Sequence, residues 1–218
     1  MSDLEVRNRI LDKAAEHFLK FGFSKVTMSE IATDLGMSKK TLYTYFPGKE
    51  EMLGAIMESM QKETTAKIDA LVADESIDFI EKLTLLIDAS ASYHTKVGGH
   101  FLLDIQRTAP HVGKGCNEFL QERVPNVISK LLEEGIQKQV FRDNINKDLV
   151  VMMYLGAFQF LLQPERLSQL PYTPRQVLEE LSSVMLAGIL TDESREKYMA
   201  LRQSKHTSAQ HLVVQQQL

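Results

Sequence analysis

The chain has one cysteine, Cys116, in 218 residues. A single thiol excludes an intramolecular disulfide and fits a reducing compartment. Apolar residues nowhere run far enough to span a bilayer, and the opening MSDLEVRNRI is charged and amphipathic, without a secretory apolar region. These two absences predict a cytoplasmic protein with no membrane partner. Strand signal is lacking too, because apolar positions do not alternate with period two over any length. No glycine-rich phosphate loop, G-x-S-x-G elbow or other nucleophile motif occurs, which leaves catalysis without a foothold and predicts no enzyme and no cofactor. Positive charge is not in excess. The net charge of −4 excludes a protein that coats nucleic acid through its overall field. Any contact with DNA must come from a local patch.

What the chain does carry is a helix-turn-helix pattern at residues 27–49, TMSEIATDLGMSKKTLYTYFPGK. Thr27 is expected to cap a short helix whose inward positions Ile31, Ala32 and Leu35 recur at helical spacing before Gly36 ends it. Ser38 is expected to cap a second. Burying Leu42 and Phe46, four residues apart, leaves Lys39, Lys40, Thr41, Tyr43 and Thr44 on or near the opposite face. Pro47 and Gly48 stop that helix. A major groove admits a helix, and one anchored by two apolar residues can present its N-terminal side chains to base edges while hydroxyls and ammonium groups hold phosphates. Lys39 and Lys40 fall where base edges would be. Tyr43 and Tyr45 join an apolar body to a hydroxyl that can donate to a phosphate oxygen, and Thr27 offers the amides of a helix N-terminus for the same task. Lys49 opens the next helix, placed to grip the DNA backbone from the far side. Tyr43 and Tyr45 lie roughly 200° apart around a helix, so at least one must be exposed. Between Ser24 and Lys49, lysines 25, 39, 40 and 49 outnumber Glu30 and Asp34. The excess is modest, so binding is expected to be salt-sensitive and dimer-dependent.

The segment FLKFGFSKVTMSEIATDLGMSKKTLYTYFPGKEEML, residues 18–53, resembles the TetR family of bacterial transcriptional regulators. The likeness lies in the phenylalanine before a glycine turn, the threonine cap, I-A-x-x-L-G, S-K-x-T-L-Y-x-Y-F and K-E-E. It implies an all-α fold: an N-terminal three-helix helix-turn-helix DNA-binding domain, residues 1–48, and a larger C-terminal helical domain, residues 49–190, that binds a ligand and forms the dimer. In the family the helix expected at residues 49–72 links the two and sets the spacing of the recognition helices. Lys40 stands where many members have a small residue, so the base preference is not carried over from relatives.

Before the motif, residues 6–21 read as one helix with Ile10, Ala14 and Phe18 inward. After it, Phe79, Ile80, Leu83, Leu86 and Ile87 predict a helix to about His94, broken by Gly98 and Gly99. A short helix at residues 100–108 is expected to end at Pro110, and a longer one to span residues 115–138, where Pro125 can kink it. The last two are expected at residues 147–163 and 174–190. The first of these contains VVMMYLGAFQFLL and is apolar on nearly every side, so it must be buried on all sides. A domain of this size has room for about one such helix, and packing of both against their copies would give a four-helix homodimer interface. The polar stretch 191–218 is expected to be a flexible tail, in which residues 192–203 have the option of extending as an exposed helix.

Aromatics and methionines interleaved through the C-terminal part can line an adaptable apolar cavity. The expected pocket residues are His94, Phe101, Ile105, Tyr154 and Phe158, with the opening near Gly98, because irregular helix junctions leave space. The expected effector is a small, largely apolar molecule that shifts the linking helix and releases the protein, acting as a repressor, from a near-palindromic double-stranded DNA operator. A metal-responsive regulator of the same fold is an alternative. His94, His100, Asp104, His111 and Cys116 cluster in sequence, with His100 and Asp104 at chelating i, i+4 spacing. No HExxH, paired cysteines or second carboxylate accompanies them, so surface histidines near a loop are expected and no metal site is assigned. The remaining alternatives are a regulator of the same fold that activates and a helical small-molecule-binding protein without a DNA role.

Overall fold

Local chemistry sets the first three helices. In the computed structural model, which describes residues 2–167 and 169–215, α1 (Asp3–Phe21) opens on a capping box. The Ser2 hydroxyl accepts from the Glu5 amide, and the Glu5 carboxylate accepts from the Ser2 amide at 2.6 Å. Gly22 closes α1 at φ 90°, a left-handed conformation that glycine adopts without strain. Thr27 and Glu30 form a second capping box at the start of α2 (Met28–Asp34), and the Ser38 hydroxyl accepts from the Thr41 amide at 3.0 Å to start α3 (Lys39–Tyr45). Between them the chain turns at Gly36, again at positive φ.

The core under this unit joins Ile10, Ala14 and Phe18 of α1 to Ile31 and Ala32 of α2, Leu42 of α3, Phe46, and Met52, Leu53 and Ile56 of α4 (Lys49–Ala73). It does not stop at α4. Val97, at the end of α5 (Phe79–Val97), belongs to the same buried cluster, as do Phe101 and Ile105 of α6 (Gly99–Thr108) and Ala109. Polar geometry joins the two parts as well. The Ser24 amide, in the turn after α1, donates to the Asp104 carboxylate of α6 at 2.8 Å.

The rest of the chain is a helical body around two further buried clusters, one about Phe79, Leu132, Phe141, Leu186 and Tyr198, the other about Ala91, Phe158 and Leu178. It consists of α4, α5, α7 (Pro110–Gln137), α8 (Lys147–Leu161), the short α9 (Pro164–Leu167), α10 (Pro174–Ile189) and α11 (Asp192–Gln215). Among the described residues there is no strand, only an isolated antiparallel bridge between Phe141 and Leu190. Lys82 is fully buried, and its ammonium donates to Glu134 and to the Val72 carbonyl, both at 3.1 Å, which compensates a charge that could not stand alone.

Three sequence expectations change. α7 begins at Pro110 rather than near residue 115, because a first-turn residue needs no amide partner and proline fits there. α8 is not buried on all sides within one chain: Val151 and Phe158 face inward, while Leu149, Met152, Met153 and Phe160 are exposed. The stretch from residue 191, expected to be flexible or, over residues 192–203, an exposed helix, starts as a helix that packs. Tyr198 is 2 % exposed, Leu201 packs beside it, Lys197 pairs with Asp78 at 2.7 Å, and Arg202 pairs with Glu180 at 2.9 Å. Two apolar contacts and two ion pairs hold a helix whose average composition is polar. For residues 216–218 the flexible-tail expectation lies outside the described residues.

Candidate nucleic-acid interface and ligand cavity

α3 is presented by its anchors. Leu42 is fully buried and Phe46, at the helix end, nearly so, which turns the other face outward. Lys39, Lys40, Thr41 and Thr44 are all exposed, and Tyr43 is 49 % exposed. The two tyrosines divide as their angular separation requires. Tyr43 faces water, whereas Tyr45 packs partly on the core and its hydroxyl donates to Asp3 at 3.2 Å. Within α3 the Thr44 hydroxyl donates to the Thr41 carbonyl at 2.6 Å, and the Ser38 and Thr41 hydroxyls lie 2.8 Å apart. The Ser38 hydroxyl, passed over as a contact group in the sequence, therefore stands with Lys39 at the exposed start of the helix. An Arg9 guanidinium donating to the Leu35 carbonyl at 2.9 Å holds α1 against the end of α2.

Two residues expected at the DNA backbone are otherwise engaged. The Lys49 ammonium donates to three carbonyls, Phe23 at 2.9 Å, Val26 at 3.2 Å and Ser24 at 3.3 Å, and lies 4.5 Å from the centre of the Phe23 ring. All three of its protons are used in tying the α1–α2 turn to α4, so a phosphate contact by Lys49 would require giving up one of these bonds. At Thr27 both the amide and the hydroxyl donate to the Glu30 carboxylate, at 2.7 and 2.8 Å. The Thr27 amide, then its hydroxyl, hold the Glu30 carboxyl below the usual carboxylate range. A phosphate at the start of α2 would have to displace that carboxylate.

An almost wholly apolar cavity of about 190 Å³ lies between α4, α5, α7, α8 and α10. His94, Tyr154 and Phe158 line it together with Phe119, Leu86 and Met185. Ile105 instead lines a second, more polar cavity of about 640 Å³ beside α6, α7 and α8, and the two share Tyr93, His94, Leu120, Val124 and Phe158 as a common wall. Phe101 lines neither; it is buried in the core beneath α3 and α4. Val97 and Phe101, on either side of the Gly98 junction, belong to that core, and the apolar cavity opens instead where α5 faces α7 and α8. His94 stands between two aromatic rings, Tyr93 and Phe158, each 5.3 Å away. Burial lowers its pKa to about 4, so it is neutral at physiological pH. Burial likewise pushes the Tyr93 and Tyr154 hydroxyls up, and the Tyr154 hydroxyl lies 3.4 Å from that of Ser182. Sequence reasoning missed Gln61 and Arg123, which also line the wall. A polar residue on a mostly charged helix face gives no sign of what it points at.

The residues considered for a metal are dispersed. His94 is buried among aromatics, Asp104 accepts from Ser24, His111 lies 3.4 Å from Glu50, and His100 is exposed. Among the described residues no group of three histidine, cysteine, aspartate or glutamate side chains could hold a metal ion.

Comparison with known proteins converges on this arrangement. A family model described as bacterial regulatory proteins, tetR family, matches residues 10–56. The HTH-type transcriptional regulator YvaF of Bacillus subtilis is 29 % identical over 185 residues, covering 85 % of this chain and 96 % of the relative. A second B. subtilis HTH-type transcriptional regulator, YhgD, is 31 % identical over 137 residues, covering 62 % of this chain and 71 % of the relative. The solved structure of the transcriptional regulator FadR from B. subtilis in complex with stearoyl-CoA superposes with a TM-score of 0.58, at 22 % identity, over 83 % of this chain and 97 % of that one. At that identity the superposition speaks for the fold.

Proposed function

The chain belongs to the TetR family of bacterial transcriptional regulators, and from that premise we propose that this DNA-binding regulator is a homodimeric repressor, released from a near-palindromic operator when a small, largely apolar effector enters its cavity. The observation that carries the reading is the exposed face of α3: two lysines, two threonines and a half-exposed tyrosine on a helix fixed from behind by Leu42 and Phe46. In this reading Lys39 and Lys40 meet base edges, Tyr43, Thr41 and Thr44 meet phosphates, and residues 1–48 form the DNA-binding domain. Residues 49–190 bind effector and partner, with α4 as the link between the two tasks.

The dimer is supported by the outward face of α8 and α10. Met153 is 61 % and Val184 68 % exposed, and Leu149, Met152 and Phe160 extend the same apolar surface. A monomer in water rarely leaves such a patch uncovered, and a second copy would bury it symmetrically. Two copies place two recognition helices about one DNA turn or slightly more apart, which predicts the palindrome. An apolar effector is supported by the hydrocarbon walls of the cavity and by the stearoyl-CoA complex of the FadR neighbour. A regulator of chromosomal operators works in the cytoplasm.

The test is selection of bound sequences from a random duplex pool at two salt concentrations, with the oligomeric state measured by sedimentation. An enriched palindrome whose recovery falls steeply with salt is expected. A confirmed dimer that enriches no sequence would overturn the reading.

A further inference from the structure

His94 is a polar side chain that the protein itself leaves unused. It is 8 % exposed, stands in the wall common to the apolar and the more polar cavity, and packs edge to face between the rings of Tyr93 and Phe158. Among the described residues nothing hydrogen-bonds its imidazole, and burial alone accounts for its lowered pKa. Its ring nitrogens are not sealed within packed side chains either, so the little surface they keep opens on the cavities. The neighbouring hydroxyls differ in this respect: Tyr93 is hydrogen-bonded to Gln61, and Tyr154 lies beside Ser182. Buried polar groups in native proteins are nearly always paired, so an imidazole left unpaired at a cavity wall calls for a partner brought by the occupant.

Chemistry narrows what that partner is. A neutral imidazole offers one N–H donor and one bare nitrogen acceptor, and a hydroxyl suits either, because it both donates and accepts. A charged head fits poorly. Among the described residues Arg123 is the one full cation lining the apolar cavity, and its guanidinium already donates to the Asp69 carboxylate. Lys114, beside the second cavity, is largely exposed and pairs with Glu118 at 3.6 Å. A head of either sign would therefore leave water for a neutral ring and hydrocarbon walls. Size narrows the body. An apolar cavity of about 150 Å³ takes a benzene ring, so one of about 190 Å³ takes a ring with a short alkyl chain.

Resting on the reading of this cavity as the effector site, we propose that the effector is a neutral, hydroxyl-bearing molecule, a phenol or alcohol with a compact hydrocarbon body, held by a hydrogen bond between its hydroxyl and the His94 imidazole. The body packs against Leu86, Phe119 and Met185, and the hydroxyl sits where the two cavities meet.

Three probes of similar size test this by nuclear magnetic resonance on the full-length protein: 4-propylphenol, 4-propyltoluene, which puts a methyl where the hydroxyl was, and 4-propylbenzoate. The methyl signal of Met185 reports entry into the cavity, and the imidazole nitrogen signals of His94, assigned by their loss in His94→Leu, report the bond. The phenol is expected to saturate the Met185 signal at a concentration no higher than the toluene needs, although it is the more strongly hydrated of the two, and the benzoate to need at least tenfold more than the phenol. The phenol is expected to shift the His94 nitrogens, and the toluene to leave them nearly in place. In His94→Leu the order reverses, the phenol needing at least tenfold more than the toluene. Tighter binding of the toluene or the benzoate to the unsubstituted protein, a phenol-to-toluene ratio unchanged in His94→Leu, or His94 nitrogens indifferent to bound phenol would overturn the proposal while leaving the effector site in place. If no probe moves the Met185 signal, the effector-site reading falls and this proposal with it.

Discussion

In the unit formed by α1, α2, α3 and the start of α4, Ile10, Phe18, Ile31, Leu42 and Leu53 are wholly out of water. In the body beyond it, α8 and α10 hold Met152, Met153, Phe160 and Val184 in solvent, and α4, α5 and α7 stand apart around an apolar hollow. The first region buries most of its apolar residues within the chain, Leu4 and Phe21 of α1 excepted, and turns a polar face of α3 outward. The second leaves hydrocarbon uncovered both outside and inside, and each uncovered surface suits a different molecule. Under the proposed function the contrast assigns each kind of specificity to its own region: DNA to charge and hydroxyls on a helix anchored from behind, effector and partner to apolar area awaiting cover.

The comparison is most severely tested in the close-packed region. Leu42→Ala removes the fully buried anchor of α3 and is expected to cost about 2–5 kcal/mol, measured by urea unfolding, because tight packing cannot collapse around the gap. A loss under about 1 kcal/mol would mean that the two regions are equally plastic. At the cavity, His94 is the probe. Its pKa is about 4 when folded and 6.5 ordinarily. Between those values the unfolded chain binds the extra proton and the folded chain does not, so stability falls as pH falls through that window, by on the order of 3 kcal/mol in full. His94→Leu should flatten this part of the stability profile, measured by thermal unfolding from pH 7 to pH 4. On the outer face, Met153→Glu is expected to yield a monomer in sedimentation, to change the stability of the single chain by no more than about 0.5 kcal/mol, and to weaken operator binding by about 10²-fold or more. The smallest effects belong to the recognition face. Tyr43→Phe should weaken binding to every sequence alike by about 1 kcal/mol, whereas Lys40→Ala should change which operator is preferred, both read from competition binding on the selected site.

The recognition unit was the more legible of the two regions, for the same reason that it packs closely. Thr27, Ser38, Gly36, Leu42 and Phe46 act through neighbours three or four residues away, and periodicity reports such relations directly. The clasp made by Lys49 was not legible because its three acceptors lie more than twenty residues earlier, in a turn whose position depends on the whole unit. Phe101 looked like a pocket residue because it follows two glycines, yet the side of α6 that carries it faces the N-terminal core. Gln61 and Arg123 gave no signal at all. A cavity exists where helices from distant parts of the chain fail to meet, and no single stretch encodes that failure. In α11 the average polarity concealed Tyr198 and Leu201, which are enough to seat its first turns.

The hydrogen bond from Ser24 to Asp104, with Val97, Phe101, Ile105 and Ala109 in the core beneath α3, bears on how this protein can be taken apart. A chimera spliced at residue 48 would carry away α3 and leave behind part of the hydrocarbon that supports it. The headpiece is not a detachable cassette: to graft this DNA specificity onto another body, residues 97–109 must be transplanted with it, or a matching helix supplied by the host.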